Sequence, residues 1–241
     1  MNEALIAAVV PAYDAEATVG AVVRGLLAEA PFAPPRGAVI VVDDGSLDST
    51  SQVARECGAI VLRHASNRGK GAALRTGFEH ALTLGAEACV TVDADGQHFP
   101  REAALLAAHP APLRALVLGV RDLSRDGAPR ANRFSNGISN FFLSRFTGLG
   151  LEDTQCGLRR YPLRETLRLG ASANGYAYEA ECVLRAARGG LPIVQTPIRV
   201  YYPEEHLRIT HFHSVRDPAR IVFHVVRTVL TTRRLHPRNP P

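Results

Sequence analysis

Short apolar runs rich in Val, Ile and Leu recur through the first half of this 241-residue chain, each followed by polar residues and then by a helical pattern. Runs at 5–10, 38–42, 59–62, 88–92 and 116–120 read as strands, since they are rich in β-branched residues and bounded by turn residues. Between them 18–30, 49–57, 70–84 and 100–108 carry helical spacing. In the first of these Val19, Val22, Val23, Leu26 and Leu27 supply the apolar positions. Strands alternating with helices of this length predict an α/β fold, with a mostly parallel central sheet, right-handed crossovers and helices on both faces.

The second half is less regular. Residues 130–146 read as a helix with Asn140-Phe141-Phe142-Leu143 on its apolar side, and 153–161 as a short polar segment that becomes extended. A helix follows at 176–188, closed by Gly189-Gly190, then a strand at 191–200 bent by Pro192 and Pro197. A His-rich polar loop at 204–214 and a final helix at 218–233 complete the chain. With no internal repeat or low-complexity linker, this reads as one domain over 1–200 and a basic extension, loop plus amphipathic helix, over 201–241.

Composition excludes several classes. Hydrophobic residues make up 46%, enough for a full core, yet no apolar run reaches the 18 residues of a membrane span. The first residues lack a basic region of the secretory kind, which predicts a cytoplasmic protein. The four cysteines, Cys57, Cys89, Cys156 and Cys182, form no CxxC pair and read as free thiols. Residues 199–241 carry eight Arg and three acids, while the rest balances twenty against twenty. A charge confined to one end, with 6% aromatic content and no Trp, argues against nucleic-acid binding.

Four polar clusters stand at corresponding strand ends: 11–16, 43–46, 67–71 and 93–97. In an open α/β sheet the crevice beyond the carboxyl ends of the strands is where ligands bind. Asp93-Ala94-Asp95-Gly96-Gln97 constrains the chemistry most. Two carboxylates this close repel unless a cation or protons intervene, and two acids with an amide oxygen are hard ligands that suit Mg²⁺ or Mn²⁺ carrying a phosphate. A carboxylate at Asp43 can accept hydrogen bonds from a base or ribose, or cap the next helix. Asn67-Arg68-Gly69-Lys70-Gly71 opens a helix, where glycines permit close approach and the helix start favours anions, although its spacing is not that of a P-loop. Lys70 is the only lysine among the 28 basic residues.

The order of these motifs resembles the inverting glycosyltransferases of family two, which have the GT-A nucleotide-diphospho-sugar transferase fold, and within them the polyprenol-phosphate (dolichol-phosphate) mannosyl- and glucosyltransferases. The matching pieces are residues 10–16, 41–50, 67–71, 93–98 and 153–159, and their combination is specific where each alone is weak. The resemblance implies that Pro11, Tyr13, Glu16 and Asp43 hold the base and ribose of a nucleotide-sugar donor. It implies that Asp93, Asp95 and Gln97 surround a divalent cation, and that Lys70 lies near the donor. Arg121 and Arg133 match basic positions that meet phosphates of donor or acceptor, and Asp153 matches an acid near the acceptor. Asp95, Asp153 and Arg133 are thereby the expected catalytic residues. The family's usual Asn-Glu after the tyrosine is replaced here by Asp14-Ala15-Glu16.

The implied activity moves a hexose from GDP-mannose or UDP-glucose to a polyprenyl phosphate at the inner membrane face. A phosphate acceptor is already anionic and needs no strong base; a hydroxyl acceptor of a glycan or lipid would need one, with Asp153 or Glu179 as candidates. Glu179 otherwise reads as a surface acid of its helix. A non-catalytic sugar-nucleotide-binding protein is a further alternative, against which the joint presence of Asp93, Asp95, Gln97, Arg133 and Asp153 argues. In the terminal helix Arg216, Arg220, His224, Arg227 and Arg234 fall near one face, with Ile221, Val222, Val225, Val226 and Val229 largely on the other. Such a helix suits peripheral contact with an anionic membrane, a homodimer contact, or docking on its own body.

Overall fold

The computed structural model describes residues 4–202 together with Phe223, Arg227 and Thr228. Strands β1 (Ile6–Ala12), β2 (Ala38–Asp43), β3 (Ile60–Arg63), β4 (Ala88–Thr91), β5 (Leu116–Arg121), β6 (Arg159–Pro162) and β7 (Ile193–Ile198) form one sheet in the order β3-β2-β1-β4-β6-β5-β7. Every pairing is parallel except those of β6, which runs antiparallel to β4 and to β5. The expected mostly parallel α/β architecture is therefore present. Apart from Phe223, Arg227 and Thr228, the terminal helix expected at 218–233 lies outside the described residues.

Both faces of the sheet are covered, so its central strands are apolar throughout rather than alternating. In β1, Ala7 and Val9 join the core on one face with Phe78 and Leu74 of α3 (Lys70–Thr83) and with Val183 and Leu184 of α7 (Ala177–Arg188). Ala8 and Val10 join the core on the other face, with Val19, Val23 and Leu26 of α1 (Glu16–Leu27) and Leu106 of α4 (Pro100–Ala107). Short α2 (Thr50–Glu56) packs on α1. Helix α3 lies close on β1 because Gly77 offers no side chain: a Cβ there would meet Val9 Cγ1 at 2.4 Å.

The second half departs further from the sequence reading. The extended segment at 153–161 narrows to β6, and α6 (Leu163–Arg168) follows it directly, an element the periodicity did not reveal. Both arginines of β6 are fully buried. Arg160 donates to the carbonyls of His109, Ala111 and Pro112, tying the end of α4 to the sheet. Helix α5 (Arg130–Thr147) buries Ser135, Asn136 and Ser139 beside Leu143 while leaving Phe134 and Phe141 exposed.

Topology fixes the site. The carboxyl ends of β1, β2, β4 and β5 open on the same edge of the sheet. Because β6 is antiparallel, its amino end opens there too, and the loop 153–158 that enters it lands on the same rim.

Candidate active site at the carboxyl rim of the sheet

The loops after β1 and β2 are zipped together. Asp14 adopts a left-handed φ of 46°, uncommon for a residue with a side chain, and is held there by local hydrogen bonds. Its amide donates to Ser46 Oγ at 2.9 Å, and its Oδ1 accepts from the Leu47 amide at 2.8 Å. Glu16 and Asp48 exchange with the opposite loop in the same way: the Glu16 amide donates to Asp48 Oδ2, and the Ser49 amide to Glu16 Oε2. Pro11, within β1, and Tyr13 are partly exposed on either side of the buried Ala12. Asp43 is fully buried, and its carboxylate accepts from the Ser46 amide and the Ser51 hydroxyl. Burial pushes that carboxyl up, but these hydrogen bonds and the Arg63 charge outweigh it and hold the group below the ordinary value. Asp43 thus shapes its loop from within, and Glu16, at the loop's exposed edge, braces Ser49.

Asp44 does comparable work for the next loop. It accepts from the amides of Arg68 and Gly69 and from His64 Nδ1 at 2.6 Å, while His64 Nε2 meets Thr76 Oγ1 at 3.0 Å. The chain turns at Gly69, with φ of 92°, where a side chain would strike the Asn174 carbonyl at 2.5 Å. That turn delivers Lys70 at the first position of α3.

Lys70 is the centre of the charged cluster. Its ammonium lies 2.7 Å from Asp93 Oδ1 and 3.1 Å from Glu179 Oε2, and it sits over the Tyr176 ring at 5.7 Å. Burial would discharge it, but the two carboxylates outweigh burial and keep it protonated well above its usual value. Glu179 is only 5% exposed, which corrects its reading as a surface acid of α7, and its Oε1 has no hydrogen-bond partner. Its helix neighbour Glu181 points elsewhere, accepting from the Ser172 and Ala173 amides and from Arg185.

Asp93 and Asp95 follow β4 as expected. Burial raises the Asp93 carboxyl, but Lys70, His98 and Arg121 together draw it below the ordinary value. Asp95 has no such neighbour in contact. Burial, and then the Asp93 charge, push its carboxyl up to about 6, against a hydrogen bond from the Gln97 amide at 3.0 Å. Thr18 Oγ1 donates to the Ala94 carbonyl and the Tyr201 amide to that of Gln97, so the pentapeptide is pinned from both sides. Behind Asp93 stands Gly157, where a Cβ would lie 2.3 Å from Asp93 Oδ2. His98 is buried, its pKa pushed down to about 4 mainly by burial, and its Nδ1 is unpartnered.

Arg121 and Asp153 form a bidentate pair, Nε to Oδ2 at 2.7 Å and Nη2 to Oδ1 at 3.0 Å, and the Asp153 side chain has no exposure. Arg121 also donates to the Tyr202 hydroxyl. It opens onto a groove of about 530 Å³ whose wall includes Arg133, Asn136, Asn140 and Glu152. Asn136 Oδ1 is buried there without a partner. Arg133 is exposed at this groove and is not in contact with the pentapeptide. Arg159 joins the two halves: its guanidinium donates to the carbonyls of Cys156, Thr154 and Glu179, fixing the loop before β6 against α7.

The residues at 93–97 suit a hard divalent cation. Two carboxylates follow one another at a strand end, with the Gln97 amide group two residues on, and burial and the Asp93 charge make ionisation of Asp95 harder than usual. Among the described residues no cluster of three His, Cys, Asp or Glu gathers as a complete protein cage.

Pairings that sequence spacing left unread are Lys70 with Glu179, Arg121 with Asp153, Asp44 with the Gly69 turn, and the Arg159 strap. Only the solitary lysine gave an advance signal.

Known proteins share this fold. Solved structures of the same fold include glucosyl-3-phosphoglycerate synthase from Mycobacterium tuberculosis, crystallised with Mn²⁺, UDP and phosphoglyceric acid; it is 22% identical, with a TM-score of 0.70 over 94% of this chain and 78% of that one. The polyprenol monophosphomannose synthase of Mycolicibacterium smegmatis is 30% identical over 68% of this chain and 66% of its own. The UDP-N-acetylglucosamine–dolichyl-phosphate N-acetylglucosaminyltransferase of Methanococcus voltae is 28% identical over 85% of this chain and 88% of its own. The description "Glycosyl transferase family 2" matches residues 7–166, most of the described fold and every loop of the rim before α7, and the chain belongs to that family of glycosyltransferases.

Proposed function

We propose that the protein is an inverting, divalent-cation-dependent transferase that moves a hexose from a nucleotide sugar to a polyprenyl phosphate at a membrane surface. The observation that carries this reading is the state of the two acids that could serve as a base. Asp153 is locked in the Arg121 pair, and Glu179 is held through Oε2 beside the Lys70 ammonium, with only its buried Oε1 unpartnered. A hydroxyl acceptor needs a carboxylate free to take its proton, whereas a phosphate oxygen attacks without losing one. The relatives named for dolichyl-phosphate and polyprenol acceptors point the same way.

In the proposed reaction the loops 11–16 and 43–49 hold the base and ribose. Asp93, Asp95 and Gln97 would hold Mg²⁺ or Mn²⁺, which would supply charge compensation for the donor diphosphate. Lys70 fixes Asp93 and Glu179 on one side of the sugar. Arg121 and Arg133 attract the acceptor phosphate into their groove, and Asp153 orients Arg121. An acceptor phosphate oxygen attacks the anomeric carbon from the face opposite the leaving group. The bond from that carbon to the diphosphate breaks, the nucleoside diphosphate departs with the electron pair, and no proton moves.

The test is transfer, read by mass spectrometry, with a panel of nucleotide sugars, Mn²⁺ or Mg²⁺, and short polyprenyl phosphates. A glycosylated prenyl phosphate is the expected product, lost in Asp95→Asn while the far-UV spectrum is unchanged. Transfer only to hydroxyl acceptors, or full activity of Asp95→Asn, would overturn the reading.

A further inference from the structure

Helix α5 buries Leu143 in the core but leaves two of its phenylalanines in water. Phe134 is 74% exposed and Phe141 is 67% exposed, while Ser135, Asn136 and Ser139 face the body. The two rings are seven residues apart, two turns or about 10 Å along one stripe. Exposed Arg130 and Arg145 fall on that same stripe, at either end. The helix contains three arginines and no acid. Leu149, 38% exposed, prolongs the apolar line beyond the helix, and Phe141 touches Phe142 edge-on at 5.5 Å. Large exposed rings aligned on one stripe mark an interaction surface rather than a normal solvated face.

We infer that this outward face of α5 is the surface by which the protein lies on an anionic phospholipid bilayer. Aromatic rings with flanking arginines suit the boundary between headgroups and acyl chains. The position agrees with the proposed acceptor chemistry, on which the inference draws only for direction. Arg133, Asn136 and Asn140 of this helix line the groove that opens at Arg121, on the flank next to the phenylalanine stripe. A lipid whose phosphate enters the groove leaves its chain beside Phe134 and Phe141. Charge disfavours the two other occupants. A two-fold contact between copies would set an acid-free, arginine-flanked stripe against itself. Residues 203–241 are themselves basic, with seven Arg against three acids.

The chain has no Trp, so Phe141→Trp places a single reporter on the stripe and Leu47→Trp, at a residue 92% exposed on the nucleotide side, serves as control. Vesicles of phosphatidylglycerol and phosphatidylcholine, free of polyprenyl phosphate, should shift the emission of F141W to the blue and allow quenching by brominated acyl chains. The L47W emission should stay unchanged, and vesicles of phosphatidylcholine alone should give a weaker response. The double variant F134S/F141S should lower co-sedimentation with the anionic vesicles by about tenfold or more. The inference is overturned if F141W ignores vesicles, or if the double variant sediments like the parent. It is equally overturned if F141W is already blue-shifted without lipid, at all concentrations (its own chain covers it) or only at high ones (a second copy does). Because these vesicles carry no acceptor, failure here leaves the transfer reaction standing, and failure of the transfer assay leaves this result standing.

Discussion

Replacing Lys70 by Met removes one ammonium from between two carboxylates and keeps most of the side-chain volume. The contacts at stake are 2.7 Å to Asp93 and 3.1 Å to Glu179. Side-chain exposures of 14% for Lys70, 7% for Glu179 and 28% for Asp93 place the cluster well below the surface. An exposed ion pair is worth at most about 1 kcal/mol. Removing one partner of a buried pair costs about 3–5 kcal/mol, because the remaining charge has neither water nor partner. Glu179 is the worst placed, since its Oε1 already lacks a hydrogen bond. For a chain of this size each kcal/mol moves the melting temperature by about 2–4 °C, so K70M should melt at least about 6 °C lower. Thermal or urea unfolding of K70M, E179Q and the double variant closes a cycle. The double variant should be less destabilised than the two single losses together, by about 1–3 kcal/mol, because E179Q removes the charge that K70M strands. Additive losses, or a K70M protein within about 1 kcal/mol of the parent, would refute the idea that Lys70 holds the two acids in place.

Other outcomes follow from the same geometry. Gly157→Ala puts a methyl group 2.3 Å from Asp93 Oδ2, so it should destabilise the protein by about 1–3 kcal/mol and weaken Mn²⁺ binding in calorimetry; unchanged binding would remove Asp93 from the cation site. Asp95, raised from 3.8 to about 6, carries a proton in the cation-free fold that the unfolded chain has lost, so its contribution to stability declines as pH climbs from about 4 through 6. Mn²⁺ should therefore raise the melting temperature more at pH 7.5 than at pH 5, and equal shifts at both would count against Asp95 as a ligand. Arg121→Met strands a fully buried Asp153 and should cost about 3–5 kcal/mol, whereas Asp153→Asn keeps a hydrogen-bonding partner and should retain measurable transfer to a phosphate acceptor. Complete loss of turnover in a well-folded D153N, with an acidic limb in the parent's pH profile, would make Asp153 a base instead.

The first half of this fold is readable from sequence because local pattern and tertiary role agree there. Each strand of 5–10, 38–42, 59–62 and 88–92 is apolar, each following loop is polar, and parallel crossovers put those loops on one edge without further information. The pairings inside the rim are not readable. Lys70 meets Glu179 across 109 positions of sequence, through packing of α3 against α7 that no motif encodes. Glu179 and Glu181 look equivalent in sequence, yet a rotation of about 200° along the helix sends one to Lys70 and the other to Arg185. Helix α5 misleads differently: of its expected apolar side Leu143 reaches the core but Phe141 does not, and the body also takes Ser135 and Ser139, for which Gln155 and Thr154 present polar partners.

The antiparallel strand β6 decides more of the chemistry than its four residues suggest. Had it run parallel to β4, the loop entering it would have opened at the opposite edge of the sheet, carrying Asp153 and Gly157 away from the rim. Inserted antiparallel, it brings Asp153 to the end of β5, where it fixes Arg121, and sets Gly157 against Asp93. Both arginines that begin β6 are buried for the same purpose. Arg160 fastens the strand to the end of α4, and Arg159 fastens the incoming loop to α7 near Glu179. The pairs Arg121–Asp153 and Lys70–Glu179 are therefore joined through one guanidinium. Arg159→Lys can serve at most one direction of that fork at a time, so it should disturb both pairs together. A change at Arg159 that altered stability but left affinities for nucleotide and acceptor phosphate untouched would show that the two halves of the rim are set independently.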